Sequence, residues 1–214
     1  HQQLVNLYPE SDVKADADYV MGQIKYLKRD YNGAIALLSP IVPGNGNYPY
    51  ARYTMGVSYA GSGKMSEAEA AFQNVAELKP SNSAGQEMKD AAMVKLGHIN
   101  FGKPMMKKAA EYYVSVSTNS PHYDEALLGL AWAFLKEKNF KGAADYANAI
   151  ISKTPNSLQV PEAHLLLGYC AFFAQNYDQA LSEFDKVVDL AEKKASSIQD
   201  MKKQRGKNPA NSPE

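Results

Sequence analysis

Small residues recur along this chain at a spacing of 34. The pairs separated by that step are Gly22 and Gly56, Ala34 and Ala68, Gly97 and Ala131, and Ala109 and Ala143. Two further steps are longer, 41 residues from Gly56 to Gly97 and 37 from Ala131 to Gly168, which indicates insertions between units. A period of about 20 to 50 residues is typical of solenoids and other repeat arrays. The chain is therefore predicted to consist of copies of one supersecondary unit.

Residues 49–82 show what one unit contains. A first predicted helix carries Met55, Gly56 and Tyr59 on one face, and after a Gly-Ser-Gly turn a second carries Met65, Ala68, Phe72 and Val75 at helical spacing. Pro80 ends the second helix. Because Gly56 and Ala68 are small, the two antiparallel helices are expected to approach most closely there. One such hairpin cannot bury its own apolar face, so the copies must stack.

Five units fit the chain. The predicted organisation is the tail of an upstream repeat or a leader over 1–14, repeats over 15–48, 49–82, 90–123, 124–157 and 161–194, an insertion over 83–89, and a polar helix extension with a disordered tail over 195–214. The upstream tail is inferred because residues 7–11 look like residues 78–82, which close the second repeat. Repeat four departs from the pattern at Ala147, so packing there is expected to be looser or filled by Tyr146.

Two helix ends are predicted from local signals. Ser81 or Ser83 is expected to cap a helix that begins early and runs into Asp90, which would lengthen the first helix of repeat three. No proline ends the last repeat, so its second helix is expected to continue toward Gln204. The residues from Arg205 to the end are polar and are expected to be disordered.

The small and apolar positions, in register five times, resemble the tetratricopeptide repeat family. The resemblance covers about residues 15–190. It implies an all-α fold, a right-handed α-solenoid of about five helix-turn-helix hairpins with an extended polar C-terminal helix. It also implies that the first helix of each hairpin lines a concave face, where members of the family bind peptides or protein helices.

Position within each first helix predicts which residues line that groove. The predicted partner-binding residues are Tyr19, Gln23, Tyr26, Tyr53, Val57, His98, Phe101, Trp132, Tyr169 and Phe172. Tyrosine and tryptophan are typical anchors for a partner chain. Packing between hairpins stays an equal alternative for the tyrosines at 19, 53 and 169 and for the tryptophan. The paired Lys/Arg and Asn residues with which some members clamp a C-terminal carboxylate are not in these positions, so that mode is not expected.

Composition and residue spacing argue against several functions. Lys+Arg and Asp+Glu both number 23, so no overall field favours nucleic acid, and no apolar run is long enough for a membrane span. The four histidines have no metal-ligand spacing and the single cysteine, Cys170, lies in an apolar run, so no metal or other cofactor is expected. Carboxylates at equivalent positions are held far apart by the repeat, which is wrong for acid/base pairs. No catalytic constellation is found, and a non-enzymatic protein is predicted.

The leading functional hypothesis is a scaffold that holds a hydrophobic or aromatic peptide, or a helix, of a protein partner in the concave groove. Self-assembly into a homo-oligomer by end-to-end stacking of hairpins is the first alternative, and a regulatory repeat domain of a longer protein is the second. Bacterial arrays of this kind often serve cell-envelope assembly complexes, so the periplasm or cell envelope is favoured over the cytoplasm by analogy.

Overall fold

The structure, a computed structural model, describes residues 12–80, 82–103 and 105–207. Over these residues the chain forms ten α-helices and no strand. In chain order they are α1 (Asp12–Leu27), α2 (Tyr31–Leu38), α3 (Tyr48–Gly61), α4 (Met65–Ala76), α5 (Ser83–Phe101), α6 (Met106–Val114), α7 (Tyr123–Lys136), α8 (Phe140–Lys153), α9 (Val160–Phe173) and α10 (Tyr177–Lys207). The predicted all-α repeat fold is confirmed. None of these helices is both long and apolar enough to cross a lipid bilayer.

The chain divides into two compact units inside α7. The N-terminal unit ends at Gly129 and the C-terminal unit begins at Leu130. In the N-terminal unit α1 packs on α2, α3 on α4 and α5 on α6, and successive hairpins meet through α2 with α3 and α4 with α5. In the C-terminal unit α9 packs on both α8 and α10. The core is therefore spread between neighbouring helices along the array, as expected for a repeat protein.

A glycine in the first helix of a hairpin faces a large side chain sixteen residues later. A Cβ built on Gly56 would lie 2.6 Å from Cε1 of Phe72, and the same atom on Gly97 would lie 2.3 Å from the Tyr113 ring. The other pairs at this spacing are Gly22 with Leu38 and Gly168 with Phe184. Sequence reasoning attributed the small residues to the approach of Gly56 and Ala68. The structure gives a more specific reason, since the ring of the second helix occupies the space that a side chain at the glycine would need.

The fourth hairpin solves the same packing problem with two alanines. Ala131 and Ala147 are both fully buried. The ring of Tyr146 packs against Phe134, with centroids 5.2 Å apart. Of the two outcomes expected at this departure, the structure therefore places the neighbouring tyrosine in the hairpin.

Helix ends differ from the sequence predictions in detail. Helix α5 does begin early, at Ser83, but its N-cap is Asn82, whose side chain accepts a hydrogen bond from the Gly85 amide at 2.7 Å, so naming Ser81 or Ser83 as the cap was wrong. Helix α10 continues to Lys207, so the prediction of disorder was wrong for residues 205–207. The predictions for residues 1–11 and 208–214 lie outside the described residues.

Candidate partner-binding site

A cavity of about 520 Å³ opens between α3 and α5 in the N-terminal unit. Its apolar wall consists of Val57, Ala60, Met65, Phe72 and Ile99, and its polar lining of Lys95, His98 and Lys103, with Gly102 between the two groups. We call it the α3–α5 cavity. It brings together Val57 and His98, two of the predicted groove residues, from the first helices of successive hairpins.

Helical spacing explains why these residues share one surface. Lys95, His98, Ile99 and Gly102 follow the i, i+3, i+4, i+7 spacing of one face of α5, and Val57 and Ala60 are three apart on α3. Phe72 reaches the floor from α4 because Gly56 leaves room for its ring. Met65 is 53% exposed, and its flexible thioether can adapt to a bound group.

The charged groups at the rim are arranged as ion pairs. Lys95 contacts Glu125 at 3.0 Å, and Lys103 contacts Glu69. Lys108 Nζ lies 3.8 Å from Oε1 of the same Glu69. The hydrogen bond from Lys103 lowers the pKa of the Glu69 carboxyl, and a hydrogen bond from buried Asn100 lowers it further. Among the described residues that line the cavity, none is acidic.

His98 lines the cavity together with Lys95 and Lys103. Its Nε2 lies 3.7 Å from Glu125, and its ring lies 5.7 Å from that of Tyr113. Burial lowers the pKa of His98, the positive charge of Lys95 lowers it further, and Glu125 acts in the opposite direction. The lowered pKa favours the neutral imidazole, which can offer a partner either a donor or an acceptor.

Four predicted groove residues of the N-terminal unit make contacts within the protein. The Gln23 amide donates to the Tyr19 hydroxyl at 2.8 Å and to Thr54 Oγ1 at 2.9 Å, which links α1 to α3. Tyr26, like the tyrosine at 19, packs against the core cluster around Leu38. Tyr53 packs edge-on against Phe72 with centroids 5.4 Å apart, and burial raises its pKa to about 12. These side chains contribute to packing, and their role toward a partner stays a prediction. Phe101, another predicted groove residue of this unit, is half-buried at the end of α5.

The predicted residues of the C-terminal unit, Trp132, Tyr169 and Phe172, form an aromatic strip together with Phe173. The Trp132 indole donates to Glu162 Oε1 at 2.8 Å, and its ring lies 6.3 Å from Tyr169. Phe172 and Phe173 are about half exposed, with ring centroids 5.8 Å apart. Phe173 also stacks on Phe140 at 5.3 Å.

Sequence reasoning missed several lining residues. Lys95 and Ile99 flank His98 on α5, and Phe173 follows Phe172 on α9. The prediction took one position per turn of each first helix, whereas one face of a helix includes about two residues per turn. Including the residues at i+1 and i−3 from each predicted position would have found all three.

Comparison with known families agrees with this architecture. Models of the tetratricopeptide repeat match residues 49–82, 104–157 and 161–194, which together are more than half of the chain. The chain is a tetratricopeptide repeat protein. Proteins of this family bind protein partners on stacked helical hairpins. A comparison with curated proteins found no match.

Solved structures similar to this tetratricopeptide repeat protein include several of MamA. A crystal structure of MamA has a TM-score of 0.68 at 20% identity, with 82% of this chain and 96% of that chain covered. A fragment of MamA from Desulfovibrio magneticus RS-1 has a TM-score of 0.64 at 20% identity, with coverage of 84% and 96%. At this identity the likeness shows a shared fold.

The other potentially reactive side chains of this tetratricopeptide repeat protein are paired with or packed against its own residues. His164 Nδ1 lies 2.7 Å from one Glu183 oxygen, which joins α9 to α10, and Lys186 Nζ, on α10 itself, lies 2.7 Å from the other. Burial raises the pKa of the Glu183 carboxyl, but these two hydrogen bonds outweigh it, so the pKa is lowered. Burial raises the pKa of the Cys170 thiol, which makes it less reactive. Within the described residues, no three potential ligands come together to hold a metal.

Proposed function

We propose that this protein is a non-enzymatic scaffold that holds an apolar or aromatic segment of a partner protein against the first helices of its hairpins. The observation that carries the proposal is the α3–α5 cavity. Its volume lies within the range of about 300 to 1,000 Å³ typical of ligand sites. It also lies where the family resemblance predicts the groove, between the first helices of two hairpins.

The chemistry of the cavity suits a side chain of a peptide. Half-buried Val57, Ala60 and Ile99 offer apolar surface that a leucine, methionine or aromatic side chain would cover. Covering apolar surface stabilises a complex by about 25 cal/mol per Å² before the costs of association. The aromatic strip of the C-terminal unit offers a second surface of the same character.

Photo-crosslinking from inside the cavity tests this proposal. Met65 is 53% exposed at the cavity and Met105 is 43% exposed outside its lining, so the two methionines form a matched pair. A benzophenone amino acid at Met65 should crosslink a partner from a lysate of the source cell, and excess unmodified protein should compete. The same probe at Met105 should not. Equal crosslinking from both positions would contradict the proposal.

Self-assembly is the second candidate, and two open apolar faces favour it. On α1, Val13, Val20, Ile24 and Leu27 are between 40% and 75% exposed. On α10, Tyr177, Leu181 and Val188 are between 54% and 63% exposed. Inside the array, such faces are covered by the next hairpin, as α4 is by α5. A C-terminal face against the N-terminal face of a second copy would be a heterologous contact, which builds rings or filaments.

Sedimentation at a series of protein concentrations separates the two candidates. Mass that rises with concentration supports self-assembly, and a monomer mass over the whole range rejects it. A cell-envelope location and a regulatory role within a longer protein stay predictions.

A further inference from the structure

We propose that the α3–α5 cavity selects a partner segment in which an aliphatic or aromatic side chain stands next to an acidic one. The inference rests on the proposed scaffold function and adds the chemistry of the partner. It is carried by the division of the cavity into an apolar floor and a cationic rim.

The floor accounts for the apolar member of the pair. Phe72 is 2% exposed and holds the base of the cavity, so a bound side chain meets an ordered ring there. Val57 and Ile99 add apolar lining from two different helices, α3 and α5. Met65 stands at the opening. Polar side chains would lose their hydration against this floor without gaining hydrogen bonds, so they are disfavoured.

The rim accounts for the acidic member. Lys95 and Lys103 both line the cavity, eight residues apart along and just beyond α5, or about 12 Å at the helical rise. Each ammonium group has three donors. Glu125 and Glu69, their partners, are not part of the lining. A carboxylate of the partner can therefore join either ion pair from the cavity side.

The ion pairs at the rim also contain more positive than negative groups. Lys95, Lys103 and Lys108 pair with two carboxylates, Glu69 and Glu125, so this group of ion pairs contains one more positive than negative side chain. A lysine or arginine of a partner would meet like charge at the rim. Electrostatic complementarity of this kind sets specificity and encounter rate more than affinity.

Peptide selection tests the inference on the full chain. A phage-displayed library of random peptides is selected on the immobilised wild type, on Lys95→Gln/Lys103→Gln, and on Lys28→Gln/Lys107→Gln. The last variant is the matched control, because it removes the same charge from two exposed lysines outside the cavity. Wild type and control should enrich Asp or Glu beside Leu, Met or Phe. The cavity variant should lose the acidic preference and bind the selected peptide about tenfold more weakly in fluorescence anisotropy, the effect of two partly exposed charge contacts.

Each outcome decides one statement. Acidic enrichment on the wild type is independent of how the variants fold and by itself supports the inference. Peptides that compete with crosslinking at Met65 but show no acidic preference would overturn the inference and leave the scaffold function standing. Failure to select any peptide that competes at Met65 would overturn both.

Discussion

Gly56 lies where the protein has no room for a methyl group. Its Cβ would lie 2.6 Å from Cε1 of Phe72, so a side chain at position 56 would force this buried ring to shift. Gly56→Ala is therefore expected to lower the free energy of unfolding by about 1–3 kcal/mol, the usual cost of overpacking. Urea denaturation measures this loss.

The fourth hairpin indicates which second substitution should compensate for Gly56→Ala. It carries Ala131 and Ala147 at the equivalent positions, both fully buried. Once Phe72→Ala has removed the ring, adding Gly56→Ala should cost nothing more, so the double-mutant cycle should show strong coupling. Gly46→Ala is the control, since no heavy atom lies within 4 Å of its added Cβ. An equal loss with and without the Phe72 ring would show that the clash is not the cause.

Tyr53 makes the stability of the protein sensitive to alkaline pH. Burial raises its pKa from the usual 10.0 to about 12. Between these values the unfolded chain releases the proton while the folded chain keeps it, so stability is intact below pH 10 and falls as pH rises toward 12. Tyr53→Phe removes this contribution and should reduce the loss of stability over that range.

Denaturant unfolding at several alkaline pH values measures that effect. Tyr177→Phe is the matched control because this tyrosine is 60% exposed on α10. Tyr113, buried beside Gly97, also has a raised pKa, so part of the alkaline loss should remain in the Tyr53 variant. An unchanged pH profile in Tyr53→Phe would mean that the ring is solvated when the protein is folded.

At the scale of the helix, the second helices of the hairpins differ in how they begin. Asp30 accepts a hydrogen bond from the Gly33 amide at 3.0 Å, and Asn139 accepts one from the Gly142 amide at 2.9 Å. Lys64 has nearly the same backbone angles, φ −89° and ψ 71° against −86° and 76° at Asn139, but makes no such bond. Helix α4 therefore begins with an unfilled cap in a backbone conformation that suits one.

Lys64→Asn is expected to stabilise the protein by about 0.5–1 kcal/mol, because the new side chain can accept from the first turn of α4. Thermal unfolding followed by circular dichroism measures the gain. Lys64→Ala removes the same charge without adding an acceptor and should give no increase. If both variants behave alike, loss of the lysine rather than capping is responsible.

The same scale shows where the sequence is sufficient and where it is not. The spacing of Gly22, Gly56 and Gly97 predicted the hairpins because each glycine faces one large side chain sixteen residues later. The cap of α5 could not be chosen in the same way. Ser81, Asn82 and Ser83 are all capping residues, and only backbone geometry distinguishes them.

At the scale of the whole molecule, the sequence predicts which face of a helix a residue lies on better than it predicts which residues of the neighbouring helix that residue contacts. Val57 and His98 were placed on the groove by helical position, and the structure brings them to one cavity. Gln23 was placed there by the same reasoning, yet it bonds to Thr54 of the next hairpin. That difference depends on the distance between neighbouring helices, which no periodicity within one helix contains.

The two open faces lead to a prediction about assembly as a whole. If the C-terminal face of one copy binds the N-terminal face of another, either face can be blocked without affecting the other. Val20→Glu/Ile24→Glu blocks α1, and Leu181→Glu/Val188→Glu blocks α10. All four side chains are at least 40% exposed, so the substitutions should leave each protein folded, within about 0.5 kcal/mol of wild-type stability.

Each blocked variant alone should be a monomer, because its remaining face has no complement. A mixture of the two should form a one-to-one complex and nothing larger, since the α10 face of the first variant meets the α1 face of the second and both outer ends are blocked. Analytical ultracentrifugation of the separate and mixed variants measures this. Dimers formed by one variant alone would indicate a symmetric contact between identical faces, and wild-type monomers at all concentrations would leave partner binding as the function of the array.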